Sequence, residues 1–353
     1  MTNKPDGPFV LPGLVQWLRV GDRRARQLTL EVARELRVQE IMLLFSWADI
    51  YDDHIPGSWG ASSLEWLDET IDLFAHTYGM TIYPRLFYTP PCACAERARE
   101  LGLPPQTNLP PDRLTGFAAF CARMLQRYSG STGSYWQIGN EPNNDAYWSQ
   151  KADPDGALFA KMARPAIDVI HAYGKKVVLG GIIPPYQPWL RDMKREGVLP
   201  RVDAIGIHAF PGTWDKMEWK GWTHAIATAR AFLDHPRQEI WVTEAGFSTA
   251  PLHGAHDREA RFALEKKQID FFEDFCRASA DKKFWYCAVN QDPEHETDNA
   301  LNQGKPPDPR AYHFGITLLS GTHKLLFYRW KVLAEMKAST VAHRHEASGK
   351  RSA

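Results

Sequence analysis

Two glutamates stand in sequence contexts that permit nucleophilic and acid–base chemistry. Glu141 lies in SYWQIGNEPNN and Glu244 lies in EIWVTEAGFST, and each follows a short apolar run. Two carboxyl groups about 5 to 5.5 Å apart can serve one anomeric carbon, because one attacks the carbon while the other protonates the departing oxygen. The sequence therefore predicts double-displacement chemistry if the fold brings both side chains into one cavity.

The elements that would position these glutamates are of two alternating kinds. Short β-branched or aromatic runs alternate with stretches whose apolar residues recur every three or four positions, which is typical of βα units around a parallel sheet. Strands are predicted at 14–18, 40–45, 81–88, 134–139, 176–183, 203–210, 239–245 and 283–290. Helices are predicted at 24–36, 63–78, 112–128, 156–173, 222–233 and 258–278. Eight strands predict an α/β fold, a single (β/α)8 TIM barrel.

The loops after the predicted strands are long and rich in Pro, Trp, His and Asp, as in SWADIYDDHIPGSWG after strand two. Such elaborated βα loops collect at the carboxyl ends of the strands, where barrel enzymes build their active sites. Glu141 follows strand four and Glu244 ends strand seven. We therefore expect both at this rim, directed into one cavity.

Four segments resemble those of the clan A (β/α)8 glycoside hydrolases, most closely the family 39 β-xylosidases and related exopolysaccharide hydrolases. The segments are IGNEPNN, DAIGIHAFPGTW, WVTEAGFST and FWYCAVNQD, and the resemblance covers about residues 10–335. The tripeptide NEP alone is a weak signal, whereas its combination with TEAGF at strand seven is strong. The resemblance implies a retaining glycosidase that cleaves a β-linked glycan or glycoside.

The resemblance also implies roles for individual residues. Glu141 would be the acid/base, with a raised pKa, and Glu244 would be the ionised nucleophile. Asn140 would donate a hydrogen bond to the sugar 2-hydroxyl, and His208 would help to orient Glu244. Tyr88 would line the glycone pocket. Two simpler alternatives stay open: Asn140 as a cap of the turn, and His208 as a structural histidine.

Two positions depart from the pattern of these relatives. Many clan members carry an arginine inside strand two that supports the nucleophile, whereas this strand reads EIMLLFSW and contains none. The aromatic residue that usually ends strand eight also lacks a certain counterpart, because Trp285 lies early in FWYCAVNQD. These departures leave the substrate and the electrostatic support of the nucleophile open.

Further residues near the predicted rim are candidates for binding sugar. The flat ring of tryptophan suits stacking against the C–H face of a sugar. Trp47, Trp148, Trp214 and Trp285 are candidates for such a wall, with packing as an equal alternative for each. Gln291, at the end of strand eight, is a candidate polar contact to hydroxyl groups.

The balance of charge points to an uncharged partner. Lys plus Arg and Asp plus Glu are equal at 42 each, so no net field would attract nucleic acid or an anionic membrane. We therefore expect a carbohydrate substrate, and the sequence leaves the oligomeric state open. The first residues lack the pattern of a signal peptide, and the five scattered cysteines fit reduced thiols. Both features lead us to expect a cytoplasmic location.

No cofactor and no metal site are predicted. His253 and His256 are three apart in a loop without a third ligand, and the acidic run DPEHETDN lacks a recognised calcium spacing. Residues 1–340 are predicted to form one catalytic domain, and residues 341–353 a polar, disordered tail.

Three alternatives to a retaining glycosidase have distinct signatures. A transglycosylase would use the same catalytic pair, with a sugar instead of water intercepting the intermediate. A carbohydrate-binding barrel without catalysis would fit the missing support residues, but not the retention of both glutamates. A metal-dependent barrel hydrolase would need a His-x-His motif or a carboxylate cluster on early strands, and neither is present.

Overall fold

The chain forms a closed barrel of eight parallel strands that follow one another in sequence order. The computed structural model describes residues 7–51, 60–213, 218–250, 258–291 and 309–349, with side chains up to residue 339. The strands are β1 Gly13–Gln16, β2 Glu40–Ser46, β3 Thr81–Phe87, β4 Tyr135–Ile138, β5 Lys176–Ile182, β6 Ala204–Ala209, β7 Glu239–Ala245 and β8 Lys282–Tyr286. The predicted (β/α)8 fold is thus confirmed.

Helices surround this barrel and connect its strands. They are α1 Arg23–Glu35, α2 Trp47–Ile50, α3 Ala61–Ile71, α4 Ala95–Leu101, α5 Thr115–Tyr128, α6 Ala157–Ala172, α7 Tyr186–Arg195, α8 Trp222–Arg230, α9 Arg258–Cys276 and α10 Leu325–Gly349. A π-helical turn, Asp72–Thr77, continues α3. Their apolar faces pack on the outward-facing side chains of the strands, as in α5, where Phe117, Phe120 and Met124 are buried. None of the described helices has the length and apolar character needed to cross a membrane.

The amino-terminal end of the barrel interior is filled by aromatic side chains. Tyr83, Tyr135, Trp241 and Phe284 come from four different strands, and their ring centroids lie 4.5 to 5.9 Å apart. Edge-to-face and tilted contacts of this kind favour dense packing. Because this end is closed, a site inside the barrel must open at the carboxyl ends of the strands.

Three irregularities in strand pairing lie close to that open end. The register shifts between Gly180 and Ile182 where β5 meets β6, and between Ile207 and His208 where β6 meets β7. A third shift lies between Val242 and Ala245, where β7 meets β8. A bulge changes the direction of a side chain relative to strict alternation. His208 and Glu244 both lie at such shifts.

Helix α10 includes part of the segment predicted as a polar tail, residues 341–353, whose disorder stays a prediction. Helix α10 continues without a break from Leu325 to Gly349. The segment contains Ala, Arg and Glu, which have high helix propensity, so a polar composition does not by itself end a helix. Residues 350–353 lie outside the described part of the chain.

Candidate active site

Glu141 and Glu244 lie together at the open end of the barrel. Both side chains are buried, with 5% and 3% of their surface exposed. One carboxylate oxygen of each, together with a ring nitrogen of His208, forms a cluster whose members are all within 4.8 Å of one another. Glu141 has a left-handed φ of 42°, and its backbone N–H donates to Gly181 O at 3.1 Å. The backbone of β5 thus helps to fix the position of Glu141.

His208 lies between the two glutamates. Its Nδ1 is 2.9 Å from Glu141 Oε1 and 3.5 Å from Glu244 Oε2. Burial lowers the pKa of His208 to about 3, although the charge of Glu244 opposes this shift. A neutral imidazole carries one N–H, and the carboxylates favour its placement on Nδ1. The structure thus places His208 beside both glutamates, and its role in orienting Glu244 stays a prediction.

The environment of Glu141 suits a proton donor. Burial raises the pKa of its carboxyl to about 7, against the opposing effects of a hydrogen bond from Asn144 and the charge of Arg85. Asn144 Nδ2 donates to Glu141 Oε2 at 2.7 Å. A carboxyl with this pKa holds its proton near neutral pH and can also release it. Asn144 was not among the predicted site residues.

Arg85 of β3 is the most important residue that the sequence analysis missed. It is 2% exposed, and its Nη1 forms a short ion pair with Glu244 Oε1. The same Nη1 donates to Asn140 Oδ1 at 2.8 Å, and Nη2 donates to Thr243 O at 3.2 Å. Arg85 therefore supplies from β3 a positive charge beside Glu244 that strand two of this chain does not contain. Met42 of β2 contacts the same guanidinium, with Sδ 3.9 Å from Nη2.

The contact with Arg85 fixes the orientation of the Asn140 amide. A guanidinium group only donates, so the amide must turn its oxygen toward Arg85. Among the described residues, Asn140 Nδ2 has no hydrogen-bond partner although it is buried. A buried N–H donor without a partner is unfavourable, so it favours a ligand oxygen at this point. This arrangement favours the predicted sugar contact over a simple turn cap.

An aromatic wall, formed by Trp17, Phe87, Tyr88 and Tyr147, flanks the glutamates. Trp17 Nε1 donates to Glu244 Oε1 at 3.4 Å, and the Trp17 ring centroid lies 5.7 Å from that of Phe87 and 5.8 Å from that of Tyr147. Tyr147 stacks on Tyr88 at 6.1 Å with an interplanar angle of 19°. Burial raises the pKa of Tyr147 well above 10, so its hydroxyl stays neutral. Of the four, the sequence predicted only Tyr88.

Three tryptophans predicted as sugar-binding walls pack in the core instead. Trp47 stacks on Phe120 of α5 at 5.9 Å, because the short helix α2 turns it back toward the barrel flank. Trp148 donates from Nε1 to Asp153 at 2.9 Å and packs against Phe159.

Trp285 is fully buried against α9, where it contacts Phe272 at 5.3 Å. It faces outward because Phe284 and Tyr286, its neighbours in β8, face inward. Trp214 lies outside the described residues. Gln291 is half-buried at the rim, and its Nε2 donates to Tyr286 Oη at 2.5 Å.

The cluster of Glu141, His208 and Glu244 contains donor atoms that a divalent cation can use. Arg85 already places a positive charge on Glu244 Oε1, and Asn144 occupies Glu141 Oε2. A cation at this point would be repelled by the guanidinium. The charges of the site therefore favour a metal-independent reaction.

Comparison with known proteins shows which barrels this one resembles. No protein-family model matches the chain, and no curated protein matches it by sequence. A family 39 glycoside hydrolase from Bacteroides cellulosilyticus WH2 has a TM-score of 0.63 at 13% identity, over 93% of this chain and 64% of that one. A monomeric β-xylosidase from Caulobacter crescentus CB15 has a TM-score of 0.62 at 16% identity, over 94% and 69%.

A third similar structure is the β-glucosidase of Thermotoga maritima in complex with noeuromycin, with a TM-score of 0.63 at 11% identity, over 94% of this chain and 99% of that one. The predicted resemblance to family 39 and other glycoside hydrolases is confirmed at the level of fold. The chain spans 64% of the length of the Bacteroides enzyme.

Proposed function

We propose that this protein is a retaining glycoside hydrolase, with Glu244 as nucleophile and Glu141 as acid/base. The observation that carries the proposal is the close approach of the two carboxylates, whose nearest oxygens lie within 4.8 Å. Retaining enzymes need carboxyl groups about 5 to 5.5 Å apart, whereas inverting enzymes separate them by about 6.5 to 9.5 Å to admit water. The spacing therefore favours direct attack by a carboxylate.

In the first step, Glu244 attacks the anomeric carbon and the bond to the leaving group breaks. Glu244 Oε1 accepts from Arg85 and Trp17, which leaves Oε2 as the more available nucleophilic atom. Glu141 transfers its proton to the departing oxygen, so the leaving group departs as an alcohol. Asn140 Nδ2 donates to the 2-hydroxyl, a bond that strengthens as the ring approaches an oxocarbenium ion.

In the second step, Glu141 has lost its proton and acts as a base. It removes a proton from water, the water oxygen attacks the anomeric carbon, and the ester bond to Glu244 breaks. The Nδ1–H of His208 can be shared with either carboxylate, because both lie within 3.5 Å. His208 would thus stabilise whichever glutamate carries the charge. If a second sugar replaces water, the same steps give transglycosylation.

The substrate we propose is a β-linked glycan or glycoside without a fixed charge. The aromatic wall offers apolar ring faces beside the catalytic pair, and such faces suit the C–H groups of a pyranose. The similar structures include a β-xylosidase and a β-glucosidase, which makes xylosides and glucosides the first compounds to test.

The test is hydrolysis of a panel of 4-nitrophenyl β-glycosides, compared between the protein and its Glu244→Gln and Glu141→Gln variants. We expect each variant to lose about 10²-fold or more in rate: Glu244→Gln lacks the nucleophile, and Glu141→Gln lacks the base that must deprotonate water in the second step, where a positioned group contributes about 10² to 10⁴. Glu239→Gln is the matched control, since Glu239 begins the same strand at the closed end of the barrel and accepts from Tyr135 and Trp241. Sugar binding by the unaltered protein without any turnover would instead establish a binding barrel.

The mechanism has a separate test. We expect Glu244→Gly to be inactive and to be partly rescued by azide, with a glycosyl azide of inverted configuration as the product. A rescued product of retained configuration, or normal rates without azide, would contradict the double displacement. Loss of activity on addition of a chelator would support the metal-dependent alternative.

A further inference from the structure

Lys324 is an ionisable side chain buried in the protein interior beside the segments that follow β7 and β8. It is 2% exposed and immediately precedes α10. Its Nζ donates to Thr249 Oγ1 and Asn290 Oδ1, both at 3.0 Å, and to His313 O at 2.9 Å. These acceptors belong to three separate segments: the loop after β7, the segment after β8, and the 3-10 helix Pro309–His313.

The geometry matches the ammonium form of Lys324. An ammonium group has three N–H donors and no acceptor, and three oxygens lie in contact. Thr249 Oγ1 donates its own hydrogen to His313 O at 3.1 Å, so it can only accept from Lys324. A neutral amine would leave one of the three oxygens facing a lone pair, which is unfavourable in the interior.

The residues that accept hydrogen bonds from Lys324 are close in sequence to residues at the rim of the candidate active site. Asn290 precedes Gln291, whose amide donates to the hydroxyl of Tyr286. On the opposite side of this segment, Gln16 Oε1 accepts from the N–H groups of Ala288 and Val289 at 3.1 and 3.0 Å. The end of β8 is therefore held between Gln16 of β1 and Lys324. Thr249 lies in the loop that begins after Glu244.

We propose that Lys324 is a positioning residue that holds the segments after β7 and β8 in the arrangement the sugar requires. This role rests on the proposed function. Lys324 touches neither glutamate in the described structure, so it would act on substrate binding more than on bond cleavage. Removal of the Lys324 ammonium group would raise KM, because Gln291 and Tyr286 could then move from their positions.

The pKa of Lys324 determines the pH at which the test is made. Burial lowers the pKa of Lys324 to about 7, while the Cys287 thiol and Glu265 oppose this shift and Arg261 adds to it. Measurements at pH 6 therefore sample the ammonium form. His313 contributes its backbone carbonyl to the same group.

Lys283 provides a matched control within the same chain. It is also buried, in β8 at the closed end of the barrel, and its Nζ donates to Cys276 O at 2.6 Å and Ala278 O at 3.0 Å. Lys283→Met removes a buried ammonium without touching the candidate site. Any general effect of deleting a buried lysine will therefore appear in both variants.

We expect Lys324→Met to raise KM for the best 4-nitrophenyl glycoside about tenfold at pH 6, with a smaller change in kcat. The reason is that each anchored segment loses about one hydrogen bond to a charged group. Amide hydrogen exchange of peptides covering 246–250 and 286–291 should rise by a similar factor. Lys283→Met should lower Tm without either effect. The proposal is overturned if both variants change KM and exchange alike.

A second variant keeps the test decisive if Lys324→Met does not fold. Thr249→Val removes one acceptor and keeps the volume of the side chain, and it should raise KM and exchange at 286–291 in the same direction by about threefold. Unchanged values for Thr249→Val would also overturn the proposal. If the unaltered protein hydrolyses no glycoside, the proposed function fails, but the exchange measurements still decide the role of Lys324.

Discussion

At the scale of single residues, Arg85 determines the electrostatics of the site. Among the described residues it is the only cation within hydrogen-bonding distance of Glu244, since His208 is neutral, and it also orients Asn140. A preorganised donor at a reacting group is effective because it needs no rearrangement when charge develops. Both the proposed nucleophile and the proposed 2-hydroxyl contact thus depend on one side chain of β3.

We predict that Arg85→Met lowers kcat about 10²- to 10³-fold, the usual effect of removing one preorganised donor. Adding Met42→Arg should restore part of the rate, because Met42 of β2 already contacts the guanidinium of Arg85. The measurement is kcat for the best glycoside, with circular dichroism to check the fold, since breaking a buried ion pair costs about 3 to 5 kcal/mol.

Arg127→Met is the control for Arg85→Met. Arg127 pairs with Asp68 on the surface, where both side chains are more than a third exposed. This substitution should leave kcat unchanged, because exposed pairs contribute little and Arg127 is remote from the site. A rate for Arg85→Met equal to that of Arg127→Met would show that Arg85 has no part in the reaction.

The raised pKa of Glu141 predicts the alkaline limb of the pH profile. The acid must be protonated for the first step, so kcat/KM should fall as pH rises through about 7. The fall should approach tenfold per pH unit above that value. Glu141→Gln should abolish this limb, when measured with an aryl glycoside whose leaving group needs no proton. A limb that persists in Glu141→Gln would assign it to another group.

At the scale of elements, the sequence predicted the barrel because hydrophobic periodicity reports which segments are strands. It also placed Glu141, Glu244, Asn140 and His208 correctly, because the carboxyl end of every strand in a closed barrel lies at the same rim. Arg85 was missed although its context carries a signal. An arginine inside the buried run TIYPRLF needs an internal acid, and a glutamate at the rim is the natural partner.

The aromatic residues show what the sequence alone could not resolve. Trp285 was a candidate for a sugar-binding wall, but in β8 it faces outward onto α9 while its neighbours Phe284 and Tyr286 face inward. Trp47 was expected at the rim, yet a four-residue helix redirects it to α5. Trp17 follows directly after β1 and reaches Glu244 only through its side-chain conformation, which periodicity does not determine.

Strand β5 offers a test of how an element positions the site. A Cβ added at Gly181 would lie 2.5 Å from His208 Nε2, and Gly181 has a φ of 77°. We predict that Gly181→Ala displaces His208 and lowers kcat/KM at least tenfold, in addition to losing about 1 to 2 kcal/mol of stability from the left-handed backbone. Kinetics and thermal unfolding measure the two effects separately.

Gly174→Ala is the matched control for Gly181→Ala. Gly174 also has a left-handed φ, 68°, but no atom lies within 4 Å of its added Cβ. This variant should lose a similar amount of stability and keep its activity. Equal activity in the two alanine variants would mean that Gly181 does not control the position of His208.

At the scale of the whole molecule, the two ends of the barrel differ in the side chains that they bury. The closed end contains the aromatic cluster and the ion pair between Glu40 and Lys282, which joins β2 to β8. The open end contains the buried charges Arg85, Glu141 and Glu244, which are costly to bury without substrate. Packing at the closed end thus offsets the cost of burying polar and charged groups at the open end.

The burial of side chains along helix α10 shows which of its described residues pack against the barrel. Within residues 325–339, where side chains are described, the buried ones are Leu326, Phe327, Trp330 and Ala334, whereas residues 335–339 are exposed or half-exposed. Trp330 packs on Phe272 of α9 at 4.6 Å. Among the side chains described, up to residue 339, the packed part of α10 therefore ends at Ala334.

We predict that a chain ending at Ser339 keeps its Tm within about 1 °C and its full kcat/KM, because Ala334 is the last buried side chain among the described ones of α10. Trp330→Ala, within the packed part, should instead cost about 3 to 5 kcal/mol and lower Tm by about 5 °C. Differential scanning calorimetry compares the two. A large loss of Tm in the shortened chain would show that residues 340–353 stabilise the barrel, and a small loss for Trp330→Ala would show that α10 contributes little to its core.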